Sequence, residues 1–150
     1  MHILNAITTR KVVLAQVCYL ILAYSYNLIS IQQISQGTTP LLKGNPQLSL
    51  LLLLPFVVVT CVGLFRKMRG VYFLSITCSV ALFVMGVLPH CQVFFNESYF
   101  TLYVSKAAWL SAMLINVFGV VCYFTGAKHA KRLIQSNASN GQYLPPRKFL

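Results

Sequence analysis

Acidic side chains are almost missing from this chain: Glu97 is the one carboxylate among 150 residues, set against twelve Lys and Arg. Charge of either sign is scarce, at 9% of residues where a soluble domain carries about a quarter. So few charges cannot cover the surface of a water-soluble fold of this length. The formal charge of +11 invites nucleic acid, yet the basic residues cluster at the ends of apolar runs. There is no basic face with interleaved aromatics of the kind that single-strand binding needs, and nucleic acid is set aside as a partner. Also missing are a C-x-x-C motif and any repeat of roughly 20 to 50 residues.

Long apolar runs are what the chain has instead. Hydrophobic residues make up 57% of it and the mean hydropathy is +0.72. Two runs of 18 uncharged residues, Leu48 to Phe65 and Val71 to Leu88, flank the basic hinge Arg66-Lys67-Met68-Arg69-Gly70. Each is long enough to cross a hydrocarbon core of about 30 Å as an α-helix. Val12 to Ile31 and Ala107 to Gly126 are similar. The first exceeds the usual signal-peptide core and no small-x-small cleavage site follows it, so it reads as a span. The expectation is an all-α integral membrane protein with four transmembrane helices, at about 12–31, 48–65, 71–88 and 107–126. These make one transmembrane domain over 1–135, followed by a polar, loosely ordered tail over 136–150.

Orientation follows from the cations. Arg10, Lys11, Arg66, Lys67, Arg69, Lys128, Lys131, Arg132, Arg147 and Lys148 lie on one side, ten in all, and Lys43 and Lys106 on the other. Short basic loops stay cytoplasmic, so both termini are expected there, in a bacterial inner membrane or other plasma membrane, with an organellar inner membrane as the other option. Arg66, Lys67, Arg69, Lys128, Lys131 and Arg132 carry the topology, next to anionic headgroups of the bilayer.

Within the spans, Pro55 is expected to kink the second helix, and the third to end at Leu88-Pro89. Asn96 is expected to cap an aromatic interfacial helix, with positions 95, 99, 102 and 103 on one face. The third helix carries a small-residue stripe, Ser75, Cys78, Ser79 and Gly86. The fourth repeats it with Ala108, Ala112, Gly119, Cys122 and Gly126, and Asn116 on its shoulder. Small residues let helix backbones approach closely in lipid, so these are read as helix-packing positions. Val120, about 100° around the fourth helix from Gly119, is expected to face lipid. The first helix is the most polar, and Gln16, Tyr19 and Asn27 mark either interhelical bonding or a groove for a ligand.

The chemistry is bounded mainly by what the spans omit. None contains Asp, Glu, Lys, Arg or His, which argues against ion-coupled transport and against four-helix multidrug exporters built on a membrane glutamate. His2, His90 and His129 fall outside the spans, so intramembrane haem has no ligand; His90 beside Cys91 makes only two ligands, too few for a metal. Cys18, Cys61, Cys78 and Cys122 lie one per span and read as packing residues. An enzyme would have to draw on Glu97, His90 and Cys91, and no catalysis, cofactor or metal is expected. Of the two Asn-x-Ser sequons, at Asn96 and Asn137, the first is on the outer side.

Elimination and the stripes together point to an accessory, assembly or stabilising subunit of a larger membrane complex, packed against other transmembrane proteins or its own copies. The alternatives are a small carrier or lipid-handling protein using the polar side of the first helix, and an immunity-type protein that binds a pore-forming toxin.

Overall fold

A computed structural model describes residues 2–64, 68–95 and 102–139, with no statement about the side chains of 2–8, 63–64, 68–70, 94 and 137–139. The described chain is all helical, and among the described residues there is no β-strand. Helix α1, His2–Ser35, is closed by a turn through Gly37. There the amides of Gly37 and Thr38 return to the carbonyls of Ile34 (3.0 Å) and Gln33 (2.9 Å), with Gly37 at φ +70°, a backbone conformation that a side chain would strain. Helix α2, Pro46–Leu52, starts where Asn45 accepts the Leu48 amide at 3.0 Å and Pro46 occupies the first turn, whose amide would be free in any case. It stops at Leu53, where the ladder tightens to three-residue bonds, Leu53 amide to Leu50 carbonyl (3.2 Å) and Phe56 amide to Leu53 carbonyl (3.1 Å), before α3, Leu54–Leu64, resumes. The cause is Pro55, which supplies no amide and crowds the preceding turn.

Helix α4, Met68–Leu82, passes into a π-helical turn, Phe83–Val87, and then into α5, Leu88–Phe95. The expected stop at Leu88-Pro89 is therefore corrected. A Pro89 ring in a regular α-helix would press on the Met85 carbonyl, and the wider π turn at that point lets the helix continue. Helix α6, Lys106–Ser139, runs more than three turns past Gly126. By length and composition, the stretches Thr9–Ser35, Val71–Val93 and Lys106–Ser136 can each cross a membrane, and Pro46–Val62 is a shorter apolar helix. Arg66, Lys67, Asn96, Glu97 and the tail beyond Ser139 lie outside the described residues.

Helix α6 is the centre of the bundle, packed against α4 on one side and α1 on the other, while α3 rests on α1 and α4 and α2 rests on α1. The core joins Tyr19, Leu20 and Ala23 of α1, Leu53, Phe56 and Val59 of the broken helix, Cys78 and Leu82 of α4, and Cys122 and Tyr123 of α6. Tyr19, Phe56 and Tyr123 meet edge to face, with ring centroids 5.4 to 6.3 Å apart, the arrangement that aromatic quadrupoles favour. Tyr123 donates its hydroxyl to the Phe56 carbonyl at 3.0 Å. Val120 is half-buried against this core and is not the outward-facing position; Val121 is 55% exposed.

Residues 41–43 of the first connection and 102–104 before the last helix meet over one end of the bundle. The Leu42 amide donates to Ser30 Oγ (3.3 Å) and the Leu41 amide to Gln33 Oε1 (2.9 Å), which ties the first loop back onto α1. Lys43 and Val104 amides bond to the Leu102 and Leu41 carbonyls, so the two loops pair as a short antiparallel bridge between Leu42 and Tyr103. A second apolar cluster, Tyr103, Ala108 and Ala112, sits beneath this cap.

Candidate functional site

The two interrupted helices do not close against each other. Between the α2–α3 break and the π turn lies a cavity of about 490 Å³, within the size range of small-molecule sites, about 300–1,000 Å³. Its walls are Tyr19, Ala23, Tyr26 and Asn27 of α1, Ser49, Leu52, Leu53, Pro55 and Phe56 of the broken helix, Thr77, Cys78, Ala81 and Leu82 of α4, Met85 and Gly86 of the π turn, Pro89 of α5, and Ala112, Ile115 and Asn116 of α6. Leu42, His90 and Tyr103 close the capped end. On the open flank, Leu52 (48% exposed) and Met85 (63% exposed) form two lips, with Pro55 and Thr77 also at the surface. Leu51, Leu54, Val80, Phe83 and Val84 on the same two helices are also exposed, so the mouth is flanked by apolar surface.

His90 is the polar anchor of the capped end. It is buried in α5 and not a solvated loop residue, because the helix extends beyond Pro89. One ring nitrogen, Nδ1, faces the Gly86 carbonyl, which can only accept, so that nitrogen carries the proton. Nε2 then accepts from the Tyr103 hydroxyl. Burial pushes the Tyr103 phenol up to about 12, which keeps it protonated and donating at any ordinary pH. The Trp109 indole donates to the His90 carbonyl at 3.1 Å, and the Tyr26 hydroxyl donates to the Ala108 carbonyl at 2.9 Å. Four segments are thus fastened at one level. Tyr103→Phe leaves His90 Nε2 buried without a donor and should cost about 1–3 kcal/mol, read as a lowered Tm in detergent. Tyr24→Phe, at a half-exposed site on α1, should leave Tm unchanged.

The residues singled out from the sequence separate into two groups. Tyr19 and Asn27 of the polar side of α1 line the cavity, but Gln16 does not; it is buried against α6, where its Nε2 lies 2.7 Å from the point a Gly126 side chain would occupy. Of the small residues, Cys78, Gly86, Ala112 and Asn116 face the cavity. Ser75 is buried near Gly126, Ser79 donates to the Val120 carbonyl at 3.2 Å, and Cys122 Sγ approaches the Ala15 carbonyl at 3.5 Å. Gly119 lies under the Tyr19 ring and Leu82, and Ala108 accepts from Tyr26. These contacts are all made within the chain. Lys128 sits over the Phe124 ring at 4.7 Å, and His129 meets Thr9 at 2.7 Å, which brings the basic ends of α1 and α6 together.

Tyr26 and Tyr103 were not among the sequence candidates for a site, and His90 was one only with Cys91 as a metal ligand and with Glu97 and Cys91 for an enzyme. The available signal was the aromatic content of the second loop, but their convergence depends on a pairing between residues about 60 positions apart in sequence, Leu42 and Tyr103, which no local pattern encodes. Among the described residues, no group of three or more His, Cys, Asp or Glu is placed to hold a metal. No family model, curated protein or solved structure matches this chain.

Proposed function

We propose that the protein crosses the membrane four times and takes an apolar chain from the bilayer into its lateral cavity, as a small carrier or lipid-handling protein. The observation that carries the reading is the cavity itself: apolar walls, a mouth between Leu52 and Met85 flanked by exposed apolar side chains, and polar groups gathered at the capped end. A molecule with a hydrocarbon tail and a small polar end fits that gradient, and lipid reaches the mouth without crossing water. The role is binding rather than catalysis.

The fourth crossing is made by α2 and α3 together, residues 46–64, which at 1.5 Å per residue reach about 28 Å, close to the hydrocarbon thickness. An even number of crossings puts both termini on one side, and ten of the twelve Lys and Arg make that side the cytoplasm. A bacterial inner membrane or other plasma membrane suits this arrangement. Reporters fused after Leu150 and inserted beside Met68 should both read cytoplasm, and one beside Gly44 the outside. A C-terminal fusion that reads outside refutes the four-crossing arrangement.

The accessory-subunit reading rested on the small-residue stripes, and their glycines are approached by Tyr19, Leu82, Gln16 and Asn116 of the same chain. They supply no argument for an outside partner. Native mass spectrometry after extraction in mild detergent should find one amphiphile retained per chain. A protein that releases bare, and that co-purifies in fixed stoichiometry with another membrane protein, would overturn the lipid-handling reading in favour of the subunit.

A further inference from the structure

The cavity also carries information about which amphiphile it takes, and this step rests on the lipid-handling reading above. Among the described residues no Lys, Arg, Asp or Glu lines it, and both ring nitrogens of the one histidine found there are already engaged. A phosphate, sulfate or carboxylate drawn inside would meet no counter-charge, and an unpaired ion in so apolar a space is strongly disfavoured. The polar atoms that are available are neutral. Asn27, only 9% exposed, commits its Nδ2 to the Ala23 carbonyl at 2.8 Å, and its Oδ1 has no partner. That oxygen can only accept, so what completes it is a donor. Across the cavity on α6, Asn116 touches Gly86 and makes no side-chain hydrogen bond, which leaves an amide able both to donate and to accept. Deeper down, Tyr19 lies two turns below Asn27, about 12 Å along α1, and its buried hydroxyl is also unpartnered. Between these levels the walls are Ala23, Phe56, Cys78 and Leu82. An apolar chain fits there.

We propose that the cavity selects an uncharged long-chain amphiphile whose polar end, a hydroxyl or an amide N–H, donates a hydrogen bond to Asn27 Oδ1, in preference to anionic lipids. The Asn116 amide answers the acceptor half of such a group. A buried acceptor left without its donor is the discriminating element, since a ligand of equal length that lacks the donor forces Asn27 to remain unpaired.

The test uses the full chain in nanodiscs of zwitterionic phospholipid and three probes that share one saturated C16 chain: 1-hexadecanol, hexadecyl methyl ether and hexadecyl sulfate. Hexadecanol should bind saturably, one per chain, and about tenfold or more tighter than the ether, the factor expected for one buried hydrogen bond. The sulfate should be the weakest. Asn27→Leu should remove the advantage of the alcohol over the ether while leaving the ether where it was. The wild-type series stands without any variant, so a misfolded Asn27→Leu does not protect the proposal. Equal affinity for alcohol and ether, or sulfate binding as tight as the alcohol, overturns the selection while the cavity still binds chains. Failure of all three to bind saturably overturns the lipid-handling reading itself.

Discussion

Gly119→Leu is expected to abolish recovery of the folded protein from detergent extracts, whereas Val121→Leu, two residues on, gives wild-type yield and Tm. A Cβ on Gly119 would lie 2.5 Å from Tyr19 Cε2, 2.8 Å from Tyr19 Cδ2 and 2.9 Å from Leu82 Cδ1, all closer than real carbon atoms approach. Tyr19 cannot yield easily, because it is fully buried and held edge-on between Phe56 and Tyr123. Leucine adds three further carbons beyond that Cβ and forces α6 away from both α1 and α4, the two contacts that build the bundle. Overpacking in a closed core typically costs about 1–3 kcal/mol and more where the backbone must move. Val121 has half its surface on the lipid side and a larger side chain there meets only acyl chains. Size-exclusion chromatography and thermal unfolding of the two variants decide the matter. Equal tolerance would mean that α6 does not approach α1 and α4 at Gly119.

Ala81→Phe is expected to act in the opposite sense, removing ligand while sparing the fold. Ala81 is half-buried on α4 and lines the cavity beside Leu82 and Cys78. A phenyl ring at this position is expected to extend into the cavity that Ala81 lines and to take up space an acyl chain would use. Filling an apolar void commonly raises stability by about 0.5–2 kcal/mol, so Tm should be unchanged or higher. Native mass spectrometry should show the retained amphiphile lost, and competition with hexadecanol should show affinity lowered at least about tenfold, about 1.4 kcal/mol. An Ala81→Phe protein that keeps its full complement of amphiphile would show that the bound lipid sits elsewhere. Gly119→Leu and Ala81→Phe each enlarge a small residue on neighbouring helices. Only the space in front of them differs.

The membrane character of the chain and its helical content were legible without coordinates, because hydrocarbon leaves little choice. Backbone amides and carbonyls in lipid must pair within their own segment, so an uncharged run of 18 or more residues such as Val71 to Leu88 is a helix whatever surrounds it. Composition and the placing of nine of the twelve cations at run ends, seen in Arg10-Lys11 and Lys128 to Arg132, required no folding information. The Pro55 interruption was readable for the same reason: the missing amide is a property of the residue.

What tertiary structure decided is which surface each face meets. Helical spacing put Gly119, Cys122 and Gly126 near one stripe, but the periodicity of one helix is silent about its neighbour, and that neighbour is α1 and α4 of the same chain rather than a foreign subunit. Gln16 and Asn27 read alike as polar residues of one helix; only the position of α6 makes the first a packing residue and leaves the second on a cavity wall. His90 read as a loop residue because Pro89 precedes it, and it became a buried anchor because a π turn absorbed the proline and a loop residue, Tyr103, arrived to donate to it. The cavity exists for a like reason. Pro55 and Pro89 each disturb their own helix locally, but that the two disturbances face each other across a gap follows from the packing of α3 on α4, a long-range contact that no local sequence pattern specifies.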